Sequence, residues 1–344
     1  MICMLGGMML AGLSACSGDD DATDVPDDGV KVRRLTITQT EEATARTLVG
    51  HASQRASAET DTGADATLGS VAHYFTRATL VEDNGLTASW TAGNGLTYCI
   101  LNRINDTYDS ETGFHVYKPI SGPLEAASTA VSSQFTGDVE CNKGDYLAVV
   151  YPATKFTRND SYTIRLTEQD GTLEGLATNY HYVYGMAHVT SVTKTTANAT
   201  MGKMKSLLTV CKFSFVEKGT KEDIPIPIKK LTISYGGGGS DEGKYPQSAT
   251  VAIGVNTAQA DVHASGVAGD GPLLVDCSNA FSSPSLGLEA VYVALLPTAA
   301  QCAFNFTVTN ANGTYTGTAN ATLNEGEYVV ATGLKLTKQQ ATKE

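Results

Sequence analysis

The sequence predicts an all-β protein made of two packed β-sandwiches in series. Its 344 residues include 44 Thr and 34 Gly but only 10 Pro and a single Trp. Thr favours pleated, half-buried surfaces and Gly favours turns, so this composition is typical of sheets rather than of a helical bundle. Several segments also alternate apolar and polar residues, which is the period of a strand with one buried face. Such strands must cover another sheet, and two sandwiches are the simplest arrangement.

Charge and hydropathy exclude some classes of function. Lys and Arg number 24 against 36 Asp and Glu, which gives a net charge of −12. Binding to a nucleic-acid backbone needs clustered positive charge, so no nucleic-acid partner is expected. The hydrophobic share of 42% is sufficient for a sizeable core. No apolar run after residue 15 approaches the length that a membrane-spanning helix requires.

The first 15 residues predict a lipoprotein signal peptide. They are apolar and uncharged, and they end in Leu13-Ser14-Ala15 followed by Cys16. This ending resembles a bacterial lipobox, and the resemblance implies that the Cys16 thiol carries a diacylglycerol that attaches the mature chain to a membrane. The alternative is an ordinary signal peptide followed by a Cys that occurs there by chance.

Residues 16–31 predict an extended acidic tether. Six Asp fall between residues 17 and 28, and a run of like charge stays solvated instead of collapsing into a core. The run resembles the surface-export signal of Bacteroidetes lipoproteins, whereas the simpler interpretation is a spacer.

The strands are predicted from alternation and from turn residues. Residues 43–72 are rich in Ala, Ser and Thr without periodicity, which predicts a mobile loop. The low-hydrophobicity run at residues 194–205 separates an N-terminal domain (32–200) from a C-terminal domain (201–344). The continuous apolar run Val291–Leu296 predicts a central strand, and Asn312-Gly313 predicts a hairpin turn. The predicted strands are 35–40, 77–90, 96–101, 146–151, 162–166, 207–216, 231–235, 291–296, 302–309, 315–323 and 328–337.

Cysteine spacing gives no support for a metal site. Five Cys follow Cys16, and no pair has the spacing of a zinc site or a redox dithiol. Cys211 and Cys302 each share a strand face with two Phe, which indicates small buried hydrophobic residues. An odd number leaves at least one thiol unpaired, and the spacing identifies no disulfide. No metal and no cofactor are expected.

Catalytic signatures are also lacking, so the chain is not expected to be an enzyme. The six His are scattered, and the chain contains neither HExxH nor GxSxG. One candidate binding patch stands out, because Tyr180, Tyr182 and Tyr184 alternate as residues on one strand face would. Three rings on one face could bind a sugar or a protein. The alternative is that they pack in the core or on the sheet surface.

Four short segments resemble the fimbrillin family of Bacteroidetes, which comprises major and minor fimbrial subunit lipoproteins. Together they place the resemblance over roughly residues 32–337. Where the family has Asp in the turn before its strand, this chain has Asn94, which suits a turn equally well. The segments are Arg77-Ala78-Thr79-Leu80, Ala88-Ser89-Trp90-Thr91-Ala92-Gly93-Asn94, Leu147-Ala148-Val149-Val150-Tyr151-Pro152-Ala153 and Val293-Ala294-Leu295-Leu296-Pro297.

The resemblance implies two tandem transthyretin-like antiparallel β-sandwich domains and a lipoprotein precursor on the cell outer membrane. In such pili an Arg-directed protease removes the first strand, and a strand of another fimbrial subunit fills the groove. Here the first strand would be 35–40, and the cleaved bond would follow Arg46 or Arg55. The alternative is that both are ordinary solvated Arg in a loop. A host protein or glycan is a further partner that the resemblance leaves open.

The polar residues 337–344 point to a position within such an assembly. A donor tail should carry alternating apolar residues beyond the last strand, and this segment has none. An accessory tip or anchor subunit, or a free-standing adhesin, is therefore favoured over a stalk subunit. Alternatively, the strand Tyr328–Thr337 is itself the donor. A second hypothesis from another class is a surface glycan-binding lipoprotein that supports polysaccharide uptake.

Overall fold

The computed structural model describes most of the chain, and strands dominate the part that it describes. One helix, α1 (Leu173–Asn179), occurs in that part. No helix in these ranges is both long and apolar enough to cross a membrane. The described residues are 31–39, 66–67, 70–72, 79–82, 86–109, 114–129, 133–154, 161–202, 204–219, 223–253, 262–267, 269, 271–282 and 284–340.

Three larger sheets and one short hairpin are built from these strands. The hairpin pairs β4 with β5. In chain order the strands are β1 (Val32–Gln39), β2 (Ala66–Thr67), β3 (Ser70–Ala72), β4 (Thr79–Glu82), β5 (Leu86–Ser89), β6 (Gly95–Asp109), β7 (Phe114–Ala126), β8 (Phe135–Glu140), β9 (Tyr146–Tyr151), β10 (Ser161–Arg165), β11 (Val183–Val192), β12 (Thr196–Met201), β13 (Lys205–Ser206), β14 (Thr209–Glu217), β15 (Lys230–Tyr235), β16 (Ser248–Ile253), β17 (Val262–Val267), β18 (Leu273–Asp276), β19 (Val291–Leu295), β20 (Cys302–Asn310), β21 (Gly313–Ala321) and β22 (Glu327–Lys338).

The first sheet closes on itself. Its hydrogen-bonded order is β12-β1-β8-β7-β6-β9-β11-β13, and a further ladder between β11 and β12 closes the strands from β12 to β11 into a ring, with the two-residue β13 paired to β11 beside it. Closure gives each strand of the ring a partner on both sides, although β6 pairs with β9 only at Thr97–Ile100 and β7 pairs with β8 only at Glu125 and Ala126. The closed sheet encloses Trp90, which is fully buried. The Trp90 and Phe135 side-chain rings meet edge-on, with their centres 4.9 Å apart. This first core consists of Leu35, Ile37, Trp90, Leu96, Tyr98, Ile100, Leu124, Ala126, Phe135, Val139, Cys141, Leu147, Val149, Val183, Ala187, Val189, Ala197, Ala199, Met201 and Met204.

The second sheet system folds into two facing layers. Its order is β18-β15-β20-β21-β22-β14-β19. Strands β21 and β22 pair only at Tyr315–Lys338 and Thr316–Thr337, and from there β22 runs parallel to β14. The ring of Phe306 on β20 lies 5.2 Å from that of Phe213 on β14, although two strands separate them in the order. The layers therefore face each other across a second core, as in a β-sandwich.

Strand β9 shows why a continuous apolar run occurs in the first half. Leu147 and Val149 point into the first core, whereas Ala148 and Val150 belong to the second core. A strand buried on both faces needs apolar residues at every position, and this explains the Leu-Ala-Val-Val sequence.

Residues 161–180 connect the two halves. Strand β10 pairs with β16, so a strand of the first half completes a three-stranded sheet of the second half. Helix α1 follows, with Thr172 as its N-cap, and buries Leu176 in the second core. The predicted division of domains at residues 200 and 201 stays a prediction, and these contacts cross it.

The predicted all-β class and tandem sheet-based domains are confirmed, while the transthyretin-like detail stays a prediction. Most predicted strands occur with small shifts of their ends, and β9 matches residue for residue. Among the described strands three ladders are parallel, β1–β12, β14–β22 and the short β2–β21, which differs from the expected antiparallel pairing. Parallel partners far apart in the chain leave no local turn signal in a sequence.

The structure corrects the prediction of a central strand at Val291–Leu296. Strand β19 pairs with β14 alone and lies at the end of the order. Side-chain and loop groups cover its other edge: the Gln169 amide exchanges two hydrogen bonds with the backbone of Ala294, and the Tyr292 amide donates to the Gly171 carbonyl at 2.9 Å. A covered edge strand is as deeply buried as a central one, so both have the same apolar pattern.

Candidate functional site

Strand β1 occupies a slot between two strands of the first sheet. It pairs antiparallel with β8, from Val32–Glu140 to Ile37–Phe135, and parallel with β12, from Arg34–Thr196 to Gln39–Met201. Each edge of β1 therefore has its own partner. Removal of β1 would leave two unpaired strand edges, which are a template for another strand.

Alternate side chains of β1 fill the first core. Leu35 and Ile37 are fully buried, whereas Val32 is 65% exposed and Thr38 faces solvent. Because side chains alternate between the two faces of a strand, Arg33 points to the same side as Leu35 and Ile37. The slot therefore takes an extended segment with apolar residues at every second position.

Arg33 anchors the amino end of this strand. Its side chain is buried, and its guanidinium donates to the carbonyl of Thr193 at 2.7 Å and to the carbonyl of Cys141. A longer contact of 3.5 Å reaches Oδ1 of Asn142. The neighbouring Arg34 is exposed and contacts Asp138 at 3.5 Å. Main-chain carbonyls thus satisfy the buried guanidinium and connect β1 to the strand ends on both sides of it.

Several predicted site residues lie outside the described residues. These are the lipid-attachment residue Cys16 and the two processing candidates Arg46 and Arg55. The predicted mobile loop at residues 43–72 is described only at β2 and β3, both of which pair with strands of the second sheet system.

The structure does not bring the three tyrosines of the predicted patch onto one strand face. Tyr180 ends helix α1, its ring is buried, and its hydroxyl donates to the carbonyl of Thr167 at 2.6 Å. Tyr182 precedes β11 and Tyr184 lies within it, and both are half-buried against the second core. Burial raises the pKa of Tyr182 and raises the pKa of Tyr180 to about 12. The packing alternative fits these positions, and the patch as a binding site stays a prediction.

The alternative donor strand Tyr328–Thr337 forms most of β22. It pairs with β14 along most of its length, and it buries Val329 and Leu336 in the second core. Its release would open that core, whereas release of β1 would remove one strand from the ring around the first core.

The described residues offer little to a metal or a cofactor. Nowhere in those ranges do three His, Cys, Asp or Glu converge as metal ligands would. A cleft of about 220 Å³ lies beside the four consecutive glycines at residues 236–239, between Tyr235, Asp241 and Lys244. It is smaller than the roughly 300 Å³ at which ligand pockets begin. The thiols of Cys211, Cys277 and Cys302 are free, and Cys211 is buried as predicted, whereas Cys302 is partly exposed.

Two functional features escaped the sequence analysis. One is Arg33, the residue that anchors β1. It lies two residues before Leu35 in an alternating segment, and this spacing is the signal that could have identified it. The other is Glu82, which contacts Lys212, Tyr292 and Tyr328 of the second sheet system. No sequence signal connects residues that far apart in the chain.

Comparison with known proteins gave structural neighbours only. No family model matches the chain, and no curated protein matches it. A structure described as a putative cell adhesion protein from Bacteroides ovatus is 12% identical, with a TM-score of 0.46 and coverage of 80% of this chain and 99% of that one. A similarly described protein from Bacteroides uniformis gives 14% identity, a TM-score of 0.43 and coverage of 78% and 97%.

A third neighbour is the shaft pilin SpaA of Lactobacillus rhamnosus GG. It is 8% identical, with a TM-score of 0.32 and coverage of 91% of this chain and 100% of that one. All three TM-scores lie below 0.5, so the description of the fold rests on the sheets of this chain.

Proposed function

We propose that the chain is a lipid-anchored, surface-exposed outer-membrane protein of fimbrial type, an accessory tip or anchor subunit that joins other subunits by strand addition. The observation that carries this proposal is the position of β1. It lies between β8 and β12, buries Leu35 and Ile37 completely, and connects to the segment that contains Arg46 and Arg55. A strand in such a position can be exchanged for an equivalent strand with no change in the surrounding ladder.

The mechanism follows from the two faces and two edges of β1. Cleavage after Arg46 or Arg55 would separate β1 from the rest of the chain without breaking its hydrogen bonds. An incoming strand would then form the same ladders and place apolar side chains where Leu35 and Ile37 lie. Arg33 is buried in the ring and is thereby protected from the same protease.

Treatment of the folded full chain with an Arg-specific protease tests the processing step. Mass spectrometry should find cleavage after Arg46 or Arg55 and none after Arg33. The variant R46K/R55K is the matched control and should remain uncut in this segment. A chain that stays intact under native conditions would contradict the proposal.

A labelled peptide of residues 31–40 tests the acceptor slot. The trimmed chain should take up this peptide, and the uncut chain should not. A control peptide with L35D and I37D places charges in the first core, so we expect no uptake. If the trimmed chain accepts neither peptide and joins no second copy, the assembly role is lost.

Mass spectrometry of the mature amino end tests the anchor separately. The chain produced in a bacterial host should carry fatty acyl groups on Cys16, and C16S should lack them. An unmodified Cys16 in a processed chain would remove the membrane attachment from the proposal.

The glycan-binding alternative has weaker support. Stacking on a sugar needs exposed ring faces, and Tyr180 is buried with its hydroxyl already bonded. Titration calorimetry against a polysaccharide panel separates the two classes. Binding that is lost in Y182A and Y184A but retained in a distant Tyr variant such as Y315A would favour the alternative.

A further inference from the structure

A carboxylate from β4 lies among three polar side chains of the second sheet system. Both carboxylate oxygens of Glu82 accept hydrogen bonds from Nζ of Lys212 at 2.8 Å. The hydroxyl of Tyr328 donates to Oε1 at 2.7 Å, and the hydroxyl of Tyr292 donates to Oε2. Only 30% of the Glu82 side chain and 23% of the Lys212 side chain remain exposed.

The three donors lie on one face of one layer. Lys212 on β14 is directly opposite Tyr292 on β19, and Tyr328 on β22 is opposite Val210, two residues before Lys212. Residues two apart on a strand point to the same side, so all three donors share the face opposite to Phe213. The ammonium of Lys212 also lies 5.3 Å from the centre of the Tyr292 ring. The donors are therefore held by three neighbouring strands before any ligand arrives.

Residues that precede Glu82 in the chain contact the second sheet system at other points. Strand β2 pairs with β21 at Ala66–Ala319, and β3 pairs with β22 from Glu327–Ala72 to Val329–Ser70. Strands β21 and β22 pair with each other only near Tyr315, so β2 and β3 occupy the edges that β21 and β22 leave open where they diverge. We call the described residues 66–67, 70–72 and 79–82 the strap.

We propose that Lys212, Tyr292 and Tyr328 form a carboxylate-binding site, that Glu82 is its resident ligand, and that this contact latches the strap onto β21 and β22. The site takes an extended segment that bears a carboxylate. It is distinct from the slot of β1, and it does not depend on processing of the chain.

The number of donors distinguishes this contact from an ordinary surface ion pair. Hydrogen bonds to a charged group are about twice as strong as neutral ones, and here one carboxylate accepts several in a partly desolvated place. The ion pair between Arg165 and Glu168 provides a contrast, since its side chains are 63% and 74% exposed. Exposed pairs of that kind contribute little.

The ionisation of Glu82 agrees with this arrangement. Burial alone would raise the pKa of Glu82, but the hydrogen bonds from Lys212, Tyr292 and Tyr328 outweigh burial and hold the pKa below its usual value. Burial would lower the pKa of Lys212, but its interactions with Glu82 and Tyr292 outweigh burial and raise that pKa. Near neutral pH the site therefore holds a full carboxylate beside a full ammonium.

Hydrogen exchange of the full chain tests the latch. E82Q keeps the shape of the side chain but removes its charge, and K212M removes the ammonium but keeps the aliphatic stem. Each should raise the exchange rate of the strap about tenfold, because local opening becomes easier when the hydrogen bonds that hold the strap are weakened. The double variant should exchange no faster than either single variant. E168Q is the matched control and should exchange at the wild-type rate.

The outcomes separate a latch from incidental contact. Unchanged exchange of β6 and β9 peptides shows that each variant is folded. The proposal would be overturned if the exchange rate of the strap in E82Q stays within twofold of the wild-type rate. It would also be overturned if the rate increases of E82Q and K212M multiply in the double variant. A synthetic peptide of residues 66–82 should slow exchange of residues 327–329 in the E82Q chain. The same peptide with E82Q should not, and equal behaviour of the two peptides would also overturn the proposal.

Discussion

The guanidinium of Arg33 donates to the carbonyl of Thr193 at 2.7 Å across a separation of 160 residues. This bond joins the amino end of β1 to the turn before β12, its parallel partner. A second bond to the Cys141 carbonyl joins the same end to the residue after β8. One side chain therefore fixes β1 to both of its neighbours.

Loss of this anchor should destabilise the first domain. R33M keeps most of the buried side-chain length but leaves the carbonyls of Thr193 and Cys141 without their donor. We expect a loss of about 2–3 kcal/mol in the free energy of unfolding, measured by urea titration. R34M is the control, since that side chain is 58% exposed, and it should change stability by less than about 0.5 kcal/mol. Equal losses in the two variants would refute the anchor role.

Truncation of the β1 side chains should have a similar effect for a different reason. I37A removes a fully buried side chain and leaves a cavity in the first core, which costs about 2–4 kcal/mol. T38A on the exposed face of the same strand is the control, and its expected effect is within about 0.5 kcal/mol. If I37A is as stable as T38A by urea titration, β1 does not contribute to the core in solution.

Gly171 should tolerate no side chain. Its φ is +74°, and a Cβ there would lie 2.7 Å from Sγ of Cys277 and 3.0 Å from Cγ1 of Val291. G171A should therefore lower the free energy of unfolding by about 1–3 kcal/mol more than the backbone strain alone would. Gly93 has φ +83° with open space around it, so G93A measures the strain alone. Thermal unfolding that shifts equally in both variants would disprove the crowding.

His181 should make stability depend on pH. Burial lowers the pKa of His181 to about 3, whereas an unfolded His titrates near 6.5. Between these values the unfolded chain binds a proton that the folded chain does not, so stability falls as pH decreases from about 6.5 toward 3. The titration of His181 should lower the free energy of unfolding by up to about 1.4 kcal/mol for each pH unit in this range.

A neutral substitution should remove this dependence. H181Q should have a flatter stability profile than the wild type between pH 6.5 and 4 in urea titrations. H188Q retains His181, so it should keep the wild-type slope. Both histidines contact a tyrosine ring: the His188 and Tyr146 rings stack with centres 4.6 Å apart, and His181 contacts Tyr151. H188Q therefore removes a similar aromatic contact. Parallel profiles for wild type and H181Q would show that His181 is not buried as a neutral ring.

The local pattern of the sequence predicted the strands themselves well. The alternation at residues 302–309 and the Asn312-Gly313 turn located the ends of β20 within one residue and those of β21 within two, because period and turn chemistry are local properties. Strand β12 escaped prediction, since its inward residues include Ala197 and Ala199, whose small side chains give a weak hydrophobic signal. The same weakness made residues 194–205 resemble a linker.

The candidate site was predicted only in part. The sequence identified a first strand at 35–40, and the structure extends it to Val32–Gln39, which brings in Arg33. The alternation of Tyr180, Tyr182 and Tyr184 suggested a shared face, but helix α1 ends at Asn179 and turns the chain between Tyr180 and Tyr182. Periodicity indicates a shared face only within a continuous element.

The sequence alone determined the class of this protein, because composition, alternation and turn residues are short-range properties that require sheets with one buried face. Only the tertiary structure decided which strands pair, that β1 lies between β8 and β12, and that Glu82 reaches Lys212. The contacts of β1 and of Glu82 join residues about a hundred positions apart or more. Their partners are selected by packing and hydrogen-bond satisfaction across the whole fold, which no local pattern encodes.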